Sequence, residues 1–287
     1  NPNPNPNPNP NPNPKPNPNP ELDPQILAAV LVALRRFVVV TGGPGTGKTT
    51  TLARIVAVLA HLYEGRGLRI ALVAPTGKGA NRAQAALAAA LESLTFSPAA
   101  RAVVPRSALT IHRLLGAQRG ERGFRFHAQR QVPFDVLLVD EASMVDLRLM
   151  SHLLEAVPAH ARVVLFGDAD QLASVDAGAV LADLGDSAGP ISGVTLKKAQ
   201  AATSQTSRDE VTGDGKLPNV LVRLQRRYRF GAVPGLSRLA DAIREGNAPE
   251  VLALLRSQPE LSLRSLPDET LGMVSMSGAN RFVRSAI

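Results

Sequence analysis

Lys48 stands where phosphate chemistry would need it. In Gly42-Gly43-Pro44-Gly45-Thr46-Gly47-Lys48-Thr49, a glycine, four residues and a second glycine lead directly into Lys and Thr. Glycines at this spacing let backbone N–H groups close around phosphate oxygens, and a helix beginning at Lys48 would add its positive dipole end. Lys48 would reach the β- and γ-phosphates of a nucleoside triphosphate, and the Thr49 hydroxyl would hold Mg²⁺. Thr50, next in the chain, completes the nucleotide-binding set. A glycine-rich turn with an incidental lysine is the competing reading. The flanks argue against it, because the apolar run Phe37–Thr41 precedes the loop and TLARIVAVLAHL, with helical spacing, follows it.

A second chemistry-bearing stretch is VLLVDEAS at 136–143. An apolar strand would deliver Asp140 and Glu141 to its C-terminal edge, where ligands bind in open α/β sheets. Asp140 would hold Mg²⁺, directly or through water, and Glu141 would orient and deprotonate an attacking water. Downstream, in GDADQLASV at 167–175, Gln171 either contacts the γ-phosphate or belongs to a capped turn. In APTGKGANR at 74–82, Thr76 and Lys78 suit the phosphates of a nucleic acid backbone, or else mark an ordinary strand-to-helix turn. TIHRLLG at 110–116 is equally open, with His112 as contact or packing residue. LQRRYRF at 224–230, together with Arg223, brings four arginines near a strand edge, solvated or phosphate-facing, and one of them could be an arginine finger.

These residues need a scaffold that brings strand ends together. Apolar runs at 37–41, 69–74, 135–139 and 162–167 read as strands buried on both faces, and segments at about 25–35, 48–62, 77–94 and 146–156 have helical spacing between them. The alternation predicts an α/β fold, a parallel sheet flanked by helices. Residues 1–20, an Asn-Pro repeat broken by Lys15, predict an extended low-complexity tail. Residues 197–219 are polar and read as a surface insertion, helical spacing returns at 235–255, and 267–287 lack pattern.

Composition narrows the chemistry. The chain has no cysteine, which excludes disulfides, thiolate catalysis and Cys-ligated zinc. The formal charge is +8, one unit of it on Lys15, a balance that suits a polyanionic partner. Aromatic residues make up only 3%, so stacking platforms for single-stranded bases should be scarce. The apolar run at 26–34 is too short to span a bilayer and no signal peptide precedes it, so the expectation is a cytoplasmic protein with no membrane partner.

Taken in order, GGPGTGKT, APTGKGANR, TIHRLLG, VDEASMVD, GDADQLASVDAGAVL and LQRRYRF resemble the superfamily 1 helicases of the RecD type, over about residues 22–266. The resemblance implies a P-loop NTPase of RecA-like fold that uses ATP and Mg²⁺. It implies a 5′-to-3′ helicase that engages single-stranded DNA at duplex ends during break repair, beside RecB- and RecC-like subunits. It also implies that Gln25 reads adenine, that Gln171 senses the γ-phosphate and that Arg229 stabilises the transition state. Thr76, Lys78, Thr110 and His112 would line the single-strand path. Two departures stand out. Gly79 occupies a position where the family usually has Ala, and the family's later TxHKSQG-like and TRA-containing motifs are absent. Residues 21–266 therefore read as the first of two motor domains, the second being absent. Rival readings are a free-standing RecD-like or relaxase-type helicase and a non-catalytic ATP- and single-strand-binding module. A P-loop kinase or GTPase is disfavoured, since no NKxD pattern is present.

Overall fold

Val38, Val39 and Val40 cannot all face one side of a sheet, because successive strand residues point to opposite faces. The computed structural model, which describes residues 22–94, 96–117, 123–169, 171, 180–203, 217–226, 228 and 234–257, shows both faces covered. Val38 and Val40 enter one apolar cluster and Val39 the other. The strands are β1 (Phe37–Thr41), β2 (Ile70–Ala74), β3 (Ala108–Thr110), β4 (Val136–Val139), β5 (Arg162–Gly167) and β6 (Leu221–Arg223). They form one sheet in the order β3-β2-β4-β5-β1-β6, and every pairing is parallel.

The helices are α1 (Pro24–Leu34), α2 (Lys48–Leu62), α3 (Gly77–Glu92), α4 (Pro98–Ala102), α5 (Ile111–Leu115), α6 (Leu147–Ala156), α7 (Val180–Asp186), α8 (Gly193–Thr203), α9 (Pro234–Arg244) and α10 (Ala248–Ser257). Leu31 of α1, Ile55 and Leu59 of α2 and Leu87 of α3 close one face over Leu72, Leu138 and Phe166. Ile111 and Leu115 of α5, with Met150 and Leu153 of α6, close the other over Val73, Leu137 and Leu165. Burial on both sides is why these strands read as unbroken apolar runs.

The expected strands and helices around the candidate residues are present. Differences lie at the periphery. Residues 197–203, read as part of a polar insertion, continue α8, whose Leu196 and Ala199 are buried against Leu22 and Ile26. A short helix needs few apolar residues to dock on α1, too few to register as periodicity. The helical spacing at 235–255 is carried by two helices, α9 and α10, separated at Gly246 (φ 68°). The Asn-Pro tail, residues 204–216 and residues 267–287 lie outside the described residues.

Arg69 ties the start of β2 to the start of β4. Its backbone N–H, Nε and Nη2 donate to the Asp135 carboxylate at 2.9, 3.2 and 3.1 Å. The hydrogen-bonded guanidinium holds the Asp135 carboxyl below the usual carboxylate range. A depressed folded value means the contribution to stability is complete above the unfolded value and disappears as pH falls through the folded one. Asp135→Asn should therefore lower the urea midpoint slightly at neutral pH, with the gap closing as pH drops below about 4. A gap that did not change with pH would assign the loss to packing instead.

Candidate nucleotide site and the strand edge beside it

The candidate residues gather where β1, β4 and β5 end. Gly45 and Gly47 adopt left-handed backbone (φ 79° and 89°), and the loop from Gly42 to Gly47 turns directly into α2 at Lys48. Gly47 is doubly constrained, because a Cβ there would lie 2.3 Å from Gln25 Nε2. The loop is braced from within: Thr46 Oγ1 donates to Gly43 O at 2.9 Å, and Thr51 Oγ1 to Gly47 O at 2.9 Å. Lys48 Nζ donates to Gly42 O and, at 3.1 Å, to Gly43 O.

Lys48, Thr49, Asp140, Glu141, Asp168 and Gln171 line one cleft of about 220 Å³, with Pro44 at its rim. Asp140 is fixed by its N–H donating to Val73 O at 2.8 Å, and its Oδ1 accepts the Glu141 N–H at 3.0 Å. Glu141 has φ 54° and ψ 37°, a left-handed conformation uncommon for a residue with a side chain. Such local strain recurs at functional sites. The buried Thr41 hydroxyl accepts the Ala169 N–H at 2.9 Å and pins the segment that follows β5. Gln171 is exposed, and its Oε1 accepts from Ser143 Oγ at 2.8 Å, bridging the turns after β4 and β5.

Charge in this cleft is costly as it stands. Burial pushes the Lys48 ammonium below the ordinary lysine value, against the opposing pull of Asp168 and Asp140. Burial likewise pushes the Asp140 carboxyl up; the Glu141 charge adds to this, while the Glu141 N–H bond and Lys48 oppose it. A partly dehydrated cation and a partly dehydrated carboxylate in one cleft suit a ligand that brings both signs of charge, as a magnesium–triphosphate does. Among the described residues no cluster of three or more His, Cys, Asp or Glu could hold a metal. One carboxylate and one hydroxyl, Asp140 and Thr49, nevertheless fit Mg²⁺, which takes oxygen ligands and fills its remaining positions with phosphate and water.

Not every candidate sits in the cleft. Thr50 is exposed on α2 and is not part of the lining. Gln25, 4% exposed, lies behind the loop with Nε2 3.5 Å from Thr46 O. Arg229 lies outside the described residues. Thr76 and Thr110 cap α3 and α5, their hydroxyls accepting the N–H groups of Gly79 and Arg113 at 3.0 and 3.1 Å. Register pairing of Ala74 with Thr110 sets these two helix starts side by side on the sheet edge next to the cleft. Lys78 is exposed there. His112 is exposed too, its ring 5.9 Å from Phe124, which in turn lies 5.2 Å from His152. The few aromatics are thus partly concentrated, lining a separate cavity of about 580 Å³.

Two cleft-side residues were not singled out in the sequence. Tyr228 donates its N–H to Gly45 O at 2.8 Å and presents its half-exposed ring beside Gly47, so this tyrosine lies against the phosphate loop. Arg82 reaches into the cleft from α3, with Nη1 3.5 Å from Glu141 Oε1. Only its helical offset from Lys78 could have flagged it. Among the described residues no helix is long and apolar enough to cross a membrane.

A family model described as an AAA domain matches residues 25–177. The RecBCD enzyme subunit RecD of Mycobacterium tuberculosis (strain ATCC 25618 / H37Rv) is 45% identical over 241 residues, 83% of this chain and 37% of its own length. The chain therefore spans well under half of that relative. The ATP-dependent RecD2 DNA helicase of Deinococcus radiodurans is 45% identical over 157 residues, 55% of this chain and 19% of its own length. The Pif1 helicase from Candida albicans, a solved structure, is 18% identical with a TM-score of 0.46, covering 90% of this chain and 53% of that one. That likeness is too loose to bear on the site.

Proposed function

This chain belongs to the AAA domain family and, within it, to the RecD-type members of helicase superfamily 1; on that premise we propose that it is the first motor domain of a DNA helicase subunit. It would hydrolyse ATP with Mg²⁺ to step 5′-to-3′ along single-stranded DNA entered from a duplex end, in the cytoplasm, beside RecB- and RecC-like subunits. The observation that carries this reading is the meeting of Lys48, Thr49, Asp140 and Glu141 in one cleft, beside the start of α3, which bears Thr76 and Lys78. The RecD match extends over 83% of the chain and the RecD2 match over 55%, which favours a complex subunit over a free-standing helicase.

Each residue has a task in this reading. Lys48, released from the Gly42 and Gly43 carbonyls, neutralises charge on the β- and γ-phosphates. Thr49 and Asp140 would hold Mg²⁺, which when bound would supply charge neutralisation for phosphoryl transfer. Glu141 takes the proton of the attacking water. Gln171, already tied to Ser143, senses whether the γ-phosphate is present. Arg229 would stabilise the transition state, and Gln25 and Tyr228 would border the base. Thr76, Lys78, Thr110 and His112 would contact the strand.

The test is ATP hydrolysis by the complete polypeptide with and without single-stranded oligonucleotide, which should be stimulated by the DNA; equal rates would reject a DNA motor. Lys78→Glu should weaken oligonucleotide binding across all sequences and reduce the slope of log affinity against log salt by about one phosphate contact. An unchanged slope would leave Lys78 as a solvated surface charge.

A further inference from the structure

The Glu141 carboxylate meets α3 at two points. Arg82 Nη1 lies 3.5 Å from its Oε1, and a Cβ at Gly79 would lie 2.7 Å from its Oε2. The carboxylate thus rests against bare backbone, in a seat that exists because position 79 has no side chain. With the Glu141 backbone in its left-handed conformation, side-chain rotation turns the carboxylate out of that seat. Arg82 is largely exposed (72% of its side chain), so this ion pair can exchange for another anion. Arg82 also stands four residues beyond Lys78 on the same helix, and residues at that offset share a face.

We infer that Arg82 is a positioning residue that holds the Glu141 carboxylate on α3, in the seat left by Gly79, and that a single-strand phosphate on Lys78 draws Arg82 away and frees Glu141 to activate water. This rests on the function proposed above. A guanidinium binds phosphate in the same forked geometry as carboxylate, so a DNA phosphate is a direct competitor for Arg82. Once freed, Glu141 accepts a proton from water as the water oxygen bonds to the γ-phosphorus and the bond to the departing ADP oxygen breaks. The device makes hydrolysis wait for DNA without any change at the phosphate loop.

The experiment compares ATP hydrolysis by the complete polypeptide at saturating ATP, without DNA and at saturating oligo(dT), for wild type, Arg82→Ala, Arg82→Lys and Gly79→Ala. Arg82→Ala should raise the DNA-free rate by about fivefold or more, the low end of typical site-to-site coupling, and leave the DNA-saturated rate close to wild type. Gly79→Ala, which fills the seat and favours the helix, should do the same from the opposite side. Arg82→Lys keeps a cation and should retain part of the restraint. General damage to the fold would lower both rates, so a gain without DNA is not a structural artefact. A fall in the DNA-free rate of Arg82→Ala would make Arg82 an activator and overturn the inference. So would a wild-type ratio of the two rates in both Ala variants, with DNA stimulation of the wild type still leaving the proposed function in place. A wild type indifferent to DNA would overturn that function and this inference together.

Discussion

Lys48→Ala should lower ATP hydrolysis by about 10²–10³-fold, the cost of removing one preorganised charge from a developing anion, while the protein stays folded. The two halves of this result have the same origin. Lys48 is held in a site where burial disfavours its charge, so its folded value lies below that of the unfolded chain. A lysine shifted in that direction costs stability at neutral pH, and the cost is relieved only as pH rises through the lowered folded value. The variant should therefore show a urea midpoint equal to or above wild type, even though two hydrogen bonds to Gly42 and Gly43 are gone. Fluorescent-nucleotide titration should show weakened triphosphate binding with a smaller effect on a monophosphate, because the role proposed for Lys48 is at the outer phosphates. Loss of hydrolysis accompanied by a collapsed midpoint would mean that the lysine braces the loop, and wild-type hydrolysis would remove it from the site altogether. A buried charge that weakens the fold and serves chemistry is the usual trade at a functional site.

How much of this could be read from residues alone depended on whether physics left a local trace. The central strands were legible because parallel pairing buries Val38, Val39 and Val40 on both faces and forces a run of apolar, mostly β-branched residues. The edge strands β3 and β6 were not, since three residues each leave no period to detect and short edges are one way sheets avoid pairing with other chains. Thr49, Asp140 and Glu141 were legible because the phosphate and metal chemistry proposed for them would constrain residue type at fixed offsets from a strand end, and the structure brings all three into one cleft. Arg82 and Tyr228 act across the fold, one from a helix face and the other from a segment about 180 residues beyond the loop. Nothing in their own neighbourhoods states what they face. The later part of α8, residues 197–203, was hidden for a third reason: Leu196 and Ala199 suffice to dock the helix on α1, so the rest of its sequence stays polar.

Glu141→Gln should retain ATP and lose turnover by about 10²–10⁴-fold, the range for removing a positioned general base. Gln is the appropriate replacement because it preserves side-chain length at a residue whose left-handed backbone fixes where the side chain starts. Lys48, Thr49 and Asp140 remain to hold the nucleotide, so the titrated affinity should stay near wild type while single-turnover hydrolysis falls. If affinity fell in parallel, Glu141 would be acting on the metal rather than on water; if the rate held, the base would lie elsewhere. The substitution also separates the two roles assigned to α3. Removing the carboxylate removes what Arg82 restrains, so Arg82→Ala has nothing left to release. Adding it to Glu141→Gln should give no gain in the DNA-free rate, a non-additive pairing expected only of residues acting through one another. A gain in the double variant would mean that Arg82 works on the nucleotide directly and that the ion pair with Glu141 is incidental.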